Sequence, residues 1–167
     1  GTWDHEQAMQ LVGKGLMDSA TILRAAGVDL DPEAIVQLLT DEVATTLRTR
    51  GVPFRPGARE LLRSLRDAGI RTGLVTMSLR RMADGVVDLI DFPAFDIVVA
   101  GDEGEHPKPH PRPYLRGAEL LGIDITDAVV IEDSPTGLGS GIASGAVTLG
   151  VPHMVSLDDL GAHALWP

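Results

Sequence analysis

The sequence predicts an α/β fold: a parallel sheet with helices, joined to a small all-α cap. From residue 53 onward, short apolar runs alternate with helical patterns, which is typical of right-handed crossovers between parallel strands. Before residue 53 the apolar residues recur at helical spacing alone. We therefore divide the chain into a helical cap, residues 1–52, and an α/β core, residues 53–167.

The cap is predicted to consist of helices separated by glycines. The predicted helices cover residues 4–12, 16–26 and 32–50. Gly13 and Gly15 break the first pair, and Gly27 ends the second helix. Asp31 followed by Pro32 opens the third, because proline is well suited to the first helical turn.

The core is predicted to alternate helix and strand after a junction at Pro53 and the pair Pro56-Gly57. The predicted helices are residues 58–68, 80–89, 111–121 and 135–144. The predicted strands are residues 71–76, 95–100, 128–131 and 146–149. This order predicts a parallel sheet.

Composition excludes several classes of partner. The chain has 167 residues, enough for one packed domain with a small appendage. Its formal net charge of −10 argues against nucleic-acid binding. No apolar run approaches the roughly 20 residues of a membrane helix, so we expect no membrane partner. The absence of cysteine excludes disulfides and is compatible with the cytoplasm, where we place the protein.

An acidic pair follows the most apolar predicted strand. Residues 128–134 read Ala-Val-Val-Ile-Glu-Asp-Ser, so Glu132 and Asp133 lie at the carboxyl end of the strand, where open α/β sheets bind ligands. The alternative is that an acid after a strand simply caps the next helix, which Ser134 and Pro135 open, but a cap needs only one acceptor. Two acids suit a hard cation such as Mg²⁺, and we predict Asp133 as its ligand with Glu132 as second candidate.

Hydroxyl groups follow the first predicted strand of the core. Thr76-Met77-Ser78 comes where that strand turns into a helix. Hydroxyls and free backbone N–H groups at such a turn bind anions such as phosphate. The alternative is that Ser78 simply caps the following helix.

Lys108 is the third candidate group. Only Lys14 and Lys108 are lysines, and Pro107 and Pro109 stiffen the backbone on both sides of Lys108. A rigidly presented ammonium group suits a phosphate oxygen or a buried carboxylate. The alternative is an exposed loop lysine.

The order hydroxyl, lysine, acid pair resembles the haloacid dehalogenase-like hydrolase superfamily, and within it the subgroup of β-phosphoglucomutase and small sugar-phosphate phosphatases. Residues 74–78, 108–111 and 130–137 resemble its second motif, its lysine motif and its acidic fourth motif. Gly13-Lys14-Gly15 resembles a cap segment that reaches into the active site. The resemblance implies a Rossmann-like parallel core with a helical cap.

The resemblance also implies roles for individual residues. Asp133 and Glu132 would bind Mg²⁺, while Lys108 and Thr76 would act on the transferring phosphoryl group. Substrate-binding groups would be supplied by Thr76, the Met77 N–H, Ser78, Arg80, Lys14 and Lys108.

One motif of that family is absent from the sequence. The Asp-x-Asp-Gly-Thr string of the first strand, which would supply the nucleophilic aspartate, is not found. In the family that strand lies in the middle of the sheet, and its loss would expose two strand edges. We therefore expect a longer natural protein, with about 20 to 30 further residues. An N-terminal segment or a second chain would complete the sheet.

The resulting hypothesis is a Mg²⁺-dependent phosphatase that acts on a small phosphorylated metabolite through an aspartyl-phosphate. The first alternative is a sugar-phosphate mutase of the β-phosphoglucomutase type. The second is a non-catalytic protein that lacks the nucleophile and binds a phosphorylated ligand or a partner chain. A dehalogenase is less well supported, because Lys108 and the acid pair suit Mg²⁺ and phosphate better.

Overall fold

The structure is a computed structural model that describes residues 4–11 and 14–166. Its cap helices are α1 (His5–Met9), α2 (Leu16–Ala25) and α3 (Pro32–Arg50). The core elements are, in chain order, α4 (Ala58–Asp67), β1 (Gly73–Val75), α5 (Arg80–Val87), β2 (Ile97–Val99), α6 (Arg112–Leu121), β3 (Val129–Glu132), α7 (Pro135–Ser144), β4 (Val147–Gly150) and β5 (Ala164–Leu165). A short 3₁₀ turn, Ile125–Asp127, precedes β3.

The predicted alternation of helix and strand is confirmed, with changes at the element ends. Strands β1 and β2 are shorter than predicted, while β3 and β4 have the predicted length and lie one residue later in the chain. Helix α1 begins with a capping box between Asp4 and Gln7 and ends at Met9. The predicted break at Gly13 lies outside the described residues. Strand β5 was not predicted, because its Ala164–Leu165 pair is too short to form a recognisable pattern.

All described strand pairs are parallel, as predicted, but they form two separate ladders. β1 pairs with β2, and β3 pairs with β4, which in turn pairs with β5. The carbonyl of Ala128 accepts from the N–H of Val147, the first residue of β4, and the carbonyl of Glu132 accepts from Val151 N, just after β4. Backbone groups alternate in direction along a strand, so Val129 and Ile131 present theirs to the other side. The edge of β3 that faces β1 is therefore unpaired within the described structure.

Helix α6 connects the two ladders. It packs against β1, β2 and α7. Its Tyr114 forms a buried cluster with Val130 of β3 and Ala146, and Val75 of β1 packs against the same cluster. A Cβ atom on Gly117 would lie 3.3 Å from the Val75 side chain, so the helix crosses β1 closely. The carboxyl ends of β1 and β3 are thereby held near each other.

The cap rests on the core beside the turn that follows β1. Ala20 of α2 and Ile35 and Val36 of α3 form its buried cluster, and Leu79 of the core packs against them. Helix α3 also packs against α5. The boundary between residues 52 and 53 stays a prediction. No helix in the described ranges is long and apolar enough to cross a membrane.

Candidate active site

A cleft of about 330 Å³ opens between the unpaired edges of β1 and β3. Its lining includes six of the eight predicted site residues: Lys14, Thr76, Met77, Lys108, Glu132 and Asp133. Leu74 and Val75 of β1 and Ile131 of β3 complete its walls, together with Ser134 and Thr136. Four segments distant in the sequence therefore converge at the carboxyl ends of two strands, where α/β folds bind ligands.

Lys108 is buried and fully hydrogen-bonded. Its Nζ donates to Val75 O at 3.0 Å, to Tyr114 Oη at 2.9 Å and to Glu132 Oε1 at 2.5 Å. These bonds use all three donors of the ammonium group. The Lys108 side chain is only 7% exposed, so the alternative of an exposed loop lysine is wrong.

Glu132 receives donors on both carboxylate oxygens. Its Oε1 accepts from Lys108 and Tyr114, and its Oε2 accepts from Asp133 N and Ser134 Oγ, each at 3.2 Å. Burial opposes ionisation of this carboxyl, but the charge and hydrogen bond of Lys108, with the bonds from Tyr114 and Ser134, outweigh it. The pKa of Glu132 therefore lies below its ordinary value.

The close approach of α7 to Glu132 requires a glycine. A Cβ atom on Gly137 would lie 2.1 Å from the Glu132 carboxyl carbon, far inside contact distance. Ser134 caps the same helix by accepting from Gly137 N at 3.1 Å. Residues 132–137 therefore pack closely together, and the lack of a side chain at Gly137 leaves room for the buried carboxylate of Glu132.

Tyr114 is a site residue that the sequence reasoning missed. It lies in the first turn of α6, is 8% exposed, and donates its hydroxyl to Glu132 Oε1. Burial, then the charge of Glu132, raise the pKa of the phenol well above its ordinary value, so the hydroxyl is a donor. The sequence did contain one signal for this contact, a tyrosine six residues after Lys108. A buried phenol needs a hydrogen-bond partner, so Tyr114 could have been expected to bond with a polar group of the site.

The turn after β1 is held against the loop that follows β2. Thr76 Oγ1 accepts from Ser78 N at 3.0 Å, and Ser78 O accepts from Gly101 N at 2.9 Å. A Cβ atom on Gly101 would lie 2.3 Å from Met77 O. Ser78 does not cap α5, whose N-cap is Leu79, so that alternative is wrong. Ser78 is also outside the residues that line the cleft.

Arg80 lies outside the cleft and is held by acids. Its Nε donates to Asp84 at 2.9 Å, and its Nη1 donates to Glu103 at 2.8 Å and to Val98 O at 3.4 Å. It lines a neighbouring cavity of about 500 Å³, which shares Thr76 with the cleft. The predicted contact of Arg80 with substrate stays a prediction.

Asp133 is the carboxylate that is best placed for a cation. It is exposed and lines the cleft, whereas Glu132 is buried and its carboxylate already accepts hydrogen bonds from Lys108 and Tyr114. Within the described residues no group of three or more His, Cys, Asp or Glu side chains could hold a metal ion. The oxygen donors present fit Mg²⁺, which commonly takes one or two carboxylates and completes its shell with water and substrate phosphate.

Comparison with known proteins identifies the family. The haloacid dehalogenase-like hydrolase family matches residues 2–145, and the chain belongs to it. Hexitol phosphatase A of Escherichia coli K12 is 37% identical over 103 residues, 62% of this chain and 48% of that protein. Pyrophosphatase PpaX of Bacillus pumilus is 28% identical over 159 residues, 90% of this chain and 68% of that protein.

Solved structures agree with the fold. CbbY of Rhodobacter sphaeroides, in complex with phosphate, superposes with a TM-score of 0.87 at 25% identity, over 99% of this chain and 79% of that one. The β-phosphoglucomutase of Clostridium difficile gives a TM-score of 0.80 at 19% identity, over 99% of this chain and 76% of that one, a likeness of fold alone. The chain spans 40% to 57% of the first curated relatives it matches.

Proposed function

We propose that this chain forms the phosphate- and metal-binding part of a cytoplasmic, Mg²⁺-dependent phosphatase that acts on a small phosphorylated metabolite. The observation that supports it is the convergence of Thr76, Lys108 and Asp133 on one cleft at the carboxyl ends of β1 and β3. A hydroxyl, an ammonium and a carboxylate are the groups that phosphoryl transfer needs for binding, charge neutralisation and metal ligation. The likeness to hexitol phosphatase A and to pyrophosphatase PpaX favours the same chemistry.

Lys108 and Thr76 bind the phosphoryl group in this proposal. Val75 and Glu132 both line the cleft, but Val75 O is an uncharged acceptor of Lys108, whereas Glu132 forms an ion pair with it. A phosphoryl oxygen replaces that carbonyl as the third acceptor, while Glu132 keeps the ammonium group in place. The Thr76 hydroxyl and the Met77 N–H bind further phosphoryl oxygens, because both border the same space.

Asp133 would hold Mg²⁺ at the cleft mouth, with Glu132 as the second candidate. When bound, Mg²⁺ would neutralise charge on the phosphoryl group as it transfers. The four donors on Glu132 favour Asp133 as the direct ligand, because ligation by Glu132 would require breaking its bond to Lys108 or to Ser134. Lys14, which lines the cleft from the cap, contacts the part of the substrate that does not react.

Titration calorimetry of this chain tests the proposal, with inorganic phosphate and Mg²⁺ as probes. We expect phosphate to bind more tightly with Mg²⁺ present, and Asp133→Asn to remove that enhancement. Asp127→Asn is the matched control, because this substitution removes the same charge at a position just before β3 that does not line the cleft. Equal behaviour of the two variants contradicts the assignment of Asp133.

We further propose that an extended segment completes the sheet between β1 and β3. This segment, N-terminal or from a second chain, would carry the Asp-x-Asp-Gly-Thr motif and its nucleophilic aspartate. The unpaired backbone of Val129 and Ile131 supports the proposal, because an open strand edge is a template for pairing. A peptide with that motif should slow amide exchange at these two residues, and unchanged exchange at saturating peptide contradicts it.

A further inference from the structure

Tyr114 does not line the cleft, but its hydroxyl contacts two charged groups that do, Lys108 and Glu132. Its hydroxyl donates to Glu132 Oε1 and accepts from Lys108 Nζ at 2.9 Å. We propose that Tyr114 is a positioning residue, whose hydroxyl holds the Lys108 ammonium group at the cleft wall, where it meets a phosphoryl oxygen. The proposal rests on the proposed function, because it takes Lys108 to be a phosphate-binding group.

The bonds of Lys108 explain why the hydroxyl matters. The ammonium group has three donors, and two of them go to Tyr114, which lies outside the cleft lining, and to the carboxylate of Glu132. Fixing two donors fixes the direction of the third, which points to Val75 O in the cleft wall. A phosphoryl oxygen that takes this third donor therefore meets an ammonium group already oriented for it.

The ring and the hydroxyl of Tyr114 have separable roles. The ring packs with Val130 and Ala146 in the cluster that joins α6 to both ladders, with Ile125 beside it. Phenylalanine fills the same space but leaves Lys108 without one acceptor and Glu132 without one donor. Unmet bonds at buried charged groups are costly, so the ammonium group should reorient toward its remaining acceptors.

The lysine content of the chain allows a direct test. Lys14 and Lys108 are the only lysines, so a lysine-labelled sample has two Nζ groups to observe by NMR. Lys14 is exposed, whereas Lys108 is 7% exposed and hydrogen-bonded, so the slowly exchanging signal belongs to Lys108. We expect Tyr114→Phe to shift this signal and speed its proton exchange, with the Lys14 signal unchanged. We also expect its affinity for inorganic phosphate to fall about tenfold.

A matched variant separates positioning from packing. Ile125→Val removes one methyl group from the same cluster and touches none of the polar atoms. We expect it to lower stability slightly while the Lys108 Nζ signal and the phosphate affinity stay as in the wild type. If Tyr114→Phe is folded and leaves both the Nζ signal and the phosphate affinity unchanged, the positioning role is overturned.

The two readouts also separate this proposal from the function on which it rests. Absence of phosphate binding by the wild type contradicts the proposed function, whatever the variant does. The Nζ signal then still decides whether Tyr114 orients Lys108. A shifted signal supports the positioning role, and an unshifted signal overturns it.

Discussion

Lys108 and Glu132, 24 residues apart, form an ion pair of 2.5 Å in the wall of the cleft, with their side chains 7% and 8% exposed. Such a buried pair is costly to break because removal of one partner leaves an uncompensated charge in the interior. The hydrogen bonds that Val75, Tyr114, Asp133 and Ser134 form in the cleft wall all include one of these two groups.

Lys108→Met should destabilise the protein by about 3 kcal/mol, since Glu132 is left charged and buried. The double variant Lys108→Met, Glu132→Gln should recover part of this loss, because the isolated charge is gone. Urea unfolding monitored by circular dichroism measures the free energy of unfolding of the single and the double variant. Lys14→Met, an exposed lysine, is the control and should be close to wild type. Equal losses in the single and double variants contradict a buried ionic pair.

Gly137→Ala should destabilise the protein by about 2 kcal/mol, because the new methyl group occupies the space of the Glu132 carboxyl. Gly139→Ala, in the same helix, places its methyl group 3.6 Å from Pro109, an ordinary contact, and should be neutral or stabilising. The difference in the free energy of unfolding between the two variants is the measurement. Similar values for both would mean that α7 can move away from Glu132.

Gly101→Ala should weaken phosphate binding with a smaller effect on the fold. The added methyl group would meet Met77 O at 2.3 Å and push the Thr76–Ser78 turn toward the cleft. Gly104→Ala, in the same loop, meets nothing within 4 Å and is the control. Calorimetric titration with inorganic phosphate compares the two, and equal affinities would show that the turn tolerates the displacement.

Asp96 should make stability depend on pH. Arg66 donates to its Oδ1 at 2.6 Å and Thr72 N to its Oδ2 at 2.8 Å, so the pKa of Asp96 lies below its ordinary value. A lowered pKa in the folded state stabilises above the unfolded value of about 4, and this contribution is lost as pH falls through the folded value.

Asp96→Asn should therefore cost about 1 kcal/mol at neutral pH, and the two proteins should converge in acid. Asp67→Asn is the control, since Asp67 forms no ion pair among the described residues. Thermal unfolding from neutral pH to about pH 3 gives the comparison. A constant difference between wild type and Asp96→Asn over this range contradicts the prediction.

Local signals allowed much of the fold to be predicted. The bounds of α3 and α7 agree with the prediction because each helix has a proline in its first turn and a glycine directly after its end, Gly51 and Gly145. Lys108, Thr76 and Asp133 were predicted as site residues from their places after strands, and the structure places all of them in one cleft.

Other features depend on tertiary contacts that no local pattern contains. The sequence around Tyr114 predicts only a core aromatic residue of an amphipathic helix. Its bond to Glu132 depends on the fold, which brings the two residues together. Arg80 follows the Thr76–Ser78 turn in sequence, yet its guanidinium group is paired with Asp84 and Glu103 and lies outside the cleft. The division of the sheet into two ladders likewise depends on which strands meet.

Arg55, between α3 and α4, donates to the carbonyls of Val151 and Pro152 after β4, at 3.2 Å each. These bonds join positions 96 and 97 residues apart in the chain. During synthesis they cannot form until Val151 and Pro152 have left the ribosome. The neighbouring pair α2 and α3, which contact each other locally, can fold much earlier. The bonds of Arg55 therefore form after α2 and α3 have had the opportunity to pair.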